Sequence, residues 1–206
     1  MRFVLIIFSV ALTSCVSAEY YQPDVSWLHT QTIGAPCTGP YKQYRNKLQE
    51  GVVLEVGGPR VGLSGIQNFT LQMLFRIGEG QSVQLESDLV RVRILDDNTE
   101  KVLKITEALS GIPDALYARI HNLPEVHFPA LSELQGTGRS SHINMKWGEY
   151  SAWYGEGDVF RLTIEPLGSA PRKIEFDLPP FAINGVTTRH PPIRFSKTSG
   201  SSLCVQ

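Results

Sequence analysis

What the chain lacks narrows its class. Its 206 residues hold only three cysteines, Cys15, Cys37 and Cys204, none in a CxxC spacing and none beside a histidine cluster, which argues against thiol redox chemistry and a thiolate zinc site. Neither sign of charge is in excess. The 19 Lys and Arg stand against 20 Asp and Glu with no basic stripe, so nucleic acid and an anionic membrane surface have no electrostatic footprint to bind. Past the first 12 residues no apolar run approaches the roughly 20 needed to span a bilayer. Also absent are a GxSxG elbow, an HExxH pair, an EF-hand spacing and a phosphate loop with its Lys, so no standard catalytic or cofactor motif is present. Finally, 18 Gly and 13 Pro scattered along the chain leave little room for long helices and make a turn-rich β protein the default.

What is present begins with an export signal. Met1-Arg2 carries a positive charge, and residues 3–12, "FVLIIFSVAL", form an apolar run of signal-peptide length. Two cuts fit it. Val16-Ser17-Ala18 suits a general signal peptidase and makes 1–18 a signal peptide with Glu19 as the new terminus. "LTSC", residues 12–15, resembles the bacterial lipobox and would make 1–14 the signal peptide, with a diacylglyceryl group on Cys15. The first cut gives a periplasmic or secreted protein, the second a membrane-anchored lipoprotein whose only membrane contact is that lipid. In either case Cys37 and Cys204 remain as a pair in an oxidising compartment, and a disulfide between them is expected. Closing so long a loop is worth about 5 kcal/mol on a chain-entropy account.

Residues 19–50 show no sustained period and read as an irregular extension packing on the main domain through Tyr20, Tyr21, Trp27 and Tyr41. Strand patterning starts at residue 51. In residues 69–77, Phe69, Leu71, Met73, Phe75 and Ile77 face one way and Thr70, Gln72 and Arg76 the other, while Leu74 spoils the polar face. Val90, Val92 and Ile94 alternate with Arg91 and Arg93; Phe160, Leu162 and Ile164 alternate with Arg161, Thr163 and Glu165. The run 96–100, "DDNTE", is a turn, and Asn184-Gly185 between Ile183 and Val186 predicts a type I′ hairpin. Pro191-Pro192 belongs at an edge or a strand start. Residues 110–123 fit a short helix or a strand, and 124–141 read as a long central loop. Eight to ten short strands with one wet face each predict an all-β, antiparallel two-sheet β-sandwich, immunoglobulin-like or related, as a single domain over 51–206.

Three constellations could carry chemistry. In 146–158, "KWGEYSAWYGEGD", Trp147, Tyr150, Trp153 and Tyr154 gather flat faces that stack on sugar rings or fill a protein interface, beside Glu149, Glu156 and Asp158; the same rings could equally be core. The carboxylates could suit calcium, and His121, His127 and His142 a transition metal, but the spacings match no ligand signature, so no metal and no cofactor is expected. Residues 136–141, "GTGRSS", could cradle an anion, yet read better as a mobile loop.

These features predict a non-enzymatic envelope protein, a binding module for an envelope protein or glycan, with nucleic acid excluded as a partner. An exported hydrolase built on His127, His142 and Glu149, and a structural subunit that pairs through an exposed strand edge, are the competing classes. Residue patterning leaves the oligomeric state open.

Overall fold

The computed structural model describes residues 14–25, 30–33, 41–57, 71–110, 126–138, 157–168 and 170–204. Among them are fifteen strands and no helix, arranged in antiparallel sheets. The larger sheet runs, neighbour to neighbour, β1 (Ser14–Pro23), β15 (Ile193–Cys204), β12 (Lys173–Asp177), β7 (Leu89–Ile94), β8 (Thr99–Ser110), β11 (Asp158–Ile164), β5 (Gln72–Ile77), β4 (Val52–Gly57), β3 (Tyr41–Gln49) and β2 (Thr30–Ile33), with β9 (Val126–Pro129) beside β8. The smaller sheet is β10 (Glu133–Gln135), β6 (Ser82–Leu85), β13 (Phe181–Ile183) and β14 (Val186–Thr188).

The larger sheet curls into a nearly closed barrel, and β1 comes back to within contact of β3. Strand β8 makes the bend possible. Along one edge its first half pairs with β7 and its second half with β9, while its other edge meets β11 through a register shift at Thr163/Ile164. Such a bulge sharpens local twist and turns a sheet that would otherwise stay open.

The apolar residues of the alternating strands point into this curl. Leu54, Phe75, Phe160, Val92, Phe176 and Phe195 belong to one buried cluster that also takes in Val83, Leu85, Leu134, Phe181 and Ile183 of the small sheet. Phe181 meets Phe75 edge to face at 5.4 Å, which fixes the small sheet against the barrel's interior side chains. Each such aromatic contributes about 1.5–3 kcal/mol through removal from water. Asn184 and Gly185 both have positive φ, 51° and 78°, and Ile183 pairs with Val186, so the expected type I′ hairpin joins β13 to β14.

Three expectations are corrected. The 19–50 segment is not irregular throughout: it completes β1 and supplies β2 and β3, and β3 pairs along β4. Its period escapes detection because β3 puts polar residues on both faces, with Tyr44 and Asn46 on one and Gln43, Arg45 and Lys47 on the other. The central loop at 124–141 contains β9 and β10, held by ladders to β8 and β6 and by Phe128 packing on Phe160 at 6.0 Å. The wet outer face holds for β7, whose burial alternates strictly, but fails for β4, whose six residues are all buried. Pro191-Pro192 precedes a strand start, as expected, and that strand lies between β12 and β1 rather than at an edge.

Candidate functional site

The best-organised polar site lies where the chain leaves β10 and re-enters at β11, the two ends of the aromatic 139–156 segment. Gly136 lies so close to β5 that a Cβ there would stand 2.0 Å from the Gly78 carbonyl oxygen; at Gly157 it would stand 2.4 Å from that of Ile77. Only glycine fits either position. The Gly136 amide donates to the Gln81 carbonyl at 2.9 Å, and the Gly80 amide donates to the Gly136 carbonyl at 3.2 Å. Across this seam the backbone amide of Thr137 and its hydroxyl, the latter at 2.7 Å, both donate to the buried Asp158 carboxylate. Residues 137 and 158 are thereby clamped together, so 139–156 departs from and returns to one fixed point at the end of β5.

Beside that clamp is a shallow hollow of about 500 Å³ lined by Gln49, Glu50, Gly51, Gly78, Glu79 and Gln81. Its floor is glycine backbone, and its walls are amides and carboxylates. Gln81 is held in place by Gln49 at 2.9 Å and Asn184 at 2.7 Å, both donating to its side-chain oxygen. Amides and carboxylates of this kind can hydrogen-bond hydroxyl or peptide groups.

A second polar constellation sits on the outer face of β3, β4 and β5. The Arg76 guanidinium donates to both Glu55 oxygens, at 2.8 and 3.4 Å, and Arg45 approaches the same carboxylate at 3.7 Å. Arg76 and Glu55 are each only 1% exposed. Burial lowers the Arg45 pKa from the usual guanidinium value; the Glu55 charge opposes that and the neighbouring Arg76 adds to it. Gln43, on the same face and also buried, has no hydrogen-bond partner for its side-chain Nε2 among the described residues. The Arg76 and Glu55 charges are paired away from solvent, an arrangement in which removing one partner strands the other.

Facing the opposite way, the Tyr44 hydroxyl lies 2.8 Å from His190 Nε2, with Asn46 at 3.4 Å from the same nitrogen and the Pro191 carbonyl 2.6 Å from Nδ1. A carbonyl only accepts, so Nδ1 donates to it, and in the neutral ring Nε2 then accepts from the Tyr44 hydroxyl. Burial raises the Tyr44 phenol pKa above its usual value, with the Asn46 hydrogen bond opposing.

The sequence-derived residues fall as follows. Trp147, Tyr150, Trp153, Tyr154, His121, His142, Glu149, Glu156 and Cys37 lie outside the described residues. His127, on β9, is 62% exposed and its Nδ1 is 2.8 Å from Glu107. Asp158 is committed to Thr137. Among the described residues no group of three His, Cys, Asp or Glu side chains is placed to hold a metal. Cys15 stands opposite Leu203, and Cys204 opposite Ser14, in the β1 and β15 ladder. Sequence reasoning missed the clamp and the hollow. The signal was there in the glycine pairs of "GTG" and "GEGD" that bracket the aromatic stretch. Comparison with protein-family models, curated proteins and solved structures found no match.

Proposed function

We propose that the chain is an exported cell-envelope protein that acts as a non-enzymatic binding module, using the aromatic 139–156 segment and the adjoining hollow as its contact surface for a glycan or protein partner. The observation that supports this reading is the clamp: Thr137, Asp158, Gly136 and Gly157 hold both ends of an aromatic segment at one point on a rigid barrel, which is how a contact loop is pre-organised. In this reading the small sheet serves as the second layer of a sandwich-like core, and a Cys37 to Cys204 bridge ties the ends of the mature chain together.

Co-sedimentation of the intact protein with purified envelope polysaccharide, and separately its retention by purified envelope proteins, tests the proposal. Changing Trp147 and Trp153 together to Ala is expected to weaken binding at least about tenfold with the melt preserved. Unchanged binding in that variant overturns the reading. The His127–Glu107 pair supports a second reading, an exported hydrolase, since a carboxylate on Nδ1 orients an imidazole whose Nε2 can take a proton. That reading requires a hydrolytic activity that disappears in His127→Ala.

A further inference from the structure

We infer that His190 is a proton-operated latch on the seam of the barrel: neutral, it ties β3 to the start of β15, and protonation releases that tie and opens the seam. None of its residues belongs to the clamp, the hollow or 139–156, so the inference stands apart from the proposed contact surface.

The seam lies where the two ends of the large sheet come together. There β1 contacts β3, yet no backbone ladder joins the two strands among the described residues. Strand β2 pairs with β3 only from Tyr41 to Tyr44, so from Arg45 to Gln49 the described ladders hold β3 on its β4 side alone. Side chains bridge the junction instead. His190 sits three residues before β15 and is only 4% exposed. Its Nε2 accepts from the Tyr44 hydroxyl at 2.8 Å and from the Asn46 amide at 3.4 Å, and its ring meets Tyr44 edge to face at 5.4 Å. Both partners stand on β3, on the face turned toward the core.

The bonds around the ring fit the neutral form. Nδ1 donates to the Pro191 carbonyl, which leaves the Nε2 lone pair as the acceptor that both β3 groups share. A proton on Nε2 removes that acceptor. The Asn46 amino group then meets an N–H donor to donor, the Tyr44 hydroxyl must turn to another acceptor, and a full charge is added inside the barrel wall. Opening the seam hydrates the imidazolium and relieves all three. Opening therefore takes up a proton: the latch is intact above the ordinary imidazole range, near about 6.5, and weakens as pH falls through it.

The charged groups of the neighbouring elements have other places. On β3, Arg45 and Lys47 project from the opposite face toward Glu55 and Glu50. On the segment that carries His190, Arg189 is exposed and Arg194 donates to Glu175 at 2.6 Å. Along β1, the Tyr21 hydroxyl donates to the Pro171 carbonyl, and just beyond the strand Asp24 accepts from Ser196. Because β3 keeps its ladder to β4, and β15 its ladders to β12 and β1, release parts the β1 to β3 junction and leaves the rest of the barrel joined.

Hydroxyl-radical footprinting of the intact protein, read by mass spectrometry from about pH 7.5 to about pH 5, tests the latch. Tyr44 labelling is expected to rise at least about fivefold across that range, against a ceiling of about thirtyfold for one proton on an ordinary imidazole, while Phe75 and Phe181 stay protected. His190→Gln, whose side-chain oxygen still accepts from Tyr44 but does not titrate, is expected to give a flat profile. A flat wild-type profile, the same rise in His190→Gln, or labelling of Phe75 and Phe181 in step with Tyr44 overturns the inference. Imidazole NMR of the wild-type protein decides the matter independently of that variant's folding: the His190 ring is expected to change from its neutral Nδ1–H form to imidazolium in the same pH step as the labelling, and a ring that stays neutral through that step overturns the inference too.

Discussion

At the scale of single residues, the burial of Arg76 carries the most information. An alternating pattern places it among outward-facing polar positions, yet it is as hidden as Phe75 beside it, because its partner Glu55 on β4 is hidden too. The sequence held a cue that periodicity alone discounts: Val53 and Leu74, apolar at outward positions on the same two strands, mark a face that is removed from water. Breaking the pair should cost far more than deleting it. Arg76→Met or Glu55→Leu alone is expected to lose about 3–5 kcal/mol in urea unfolding, because each strands or unbalances a buried charge, while the two changes together should cost less than the sum. Additive losses would show that the two groups do not depend on each other. Tyr44 gives a prediction in pH. Its phenol is neutral when folded and has a raised pKa, so its contribution is intact below the ordinary tyrosine value of 10.0 and is lost as pH rises through the higher folded value. Stability should therefore fall in alkali, and Tyr44→Phe should flatten that limb. An unchanged alkaline slope in the variant would assign the loss to other groups.

At the scale of elements, strands with an apolar face opposite a charged one were legible, and strands with mixed faces were not. Strand β7 reads directly from Val90, Val92 and Ile94 against Arg91 and Arg93, and the β13 to β14 turn reads from Asn184-Gly185. Strand β3 does not, since its inward Asn46 serves His190 rather than the apolar core. Short strands β9 and β10 hide in a polar stretch because tertiary ladders, not local propensity, hold them. The clamp was half legible. Its glycines are visible in sequence, but their reason, contact with the β5 backbone, exists only in three dimensions. Gly136→Ala should force the β5 carbonyls apart and cost about 3 kcal/mol or more, read as a shift in the denaturant midpoint. Gly80, with no atom of the described residues within 4 Å of its absent Cβ, supplies the contrast: alanine there meets the strain of its positive φ, about 1–2 kcal/mol. Equal losses at the two positions would remove the close contact from the account.

At the scale of the whole molecule, the barrel and its small sheet form one buried cluster that holds the end of β5, the hollow and both ends of 139–156 in fixed relation. All-β class and antiparallel pairing were readable from composition and turns; the curl was not, because it depends on one long strand, β8, changing partners midway. The central claim is that Trp147 and Trp153 belong to a presented surface and not to the core. The thermal melt of the variant with both changed to Ala tests it most directly. A shift within about 2 °C of the wild type is the predicted result, as expected for surface side chains on a chain of this size. A fall of roughly 10 °C or more, the scale of two emptied core sites, would contradict the account and return those rings to the interior.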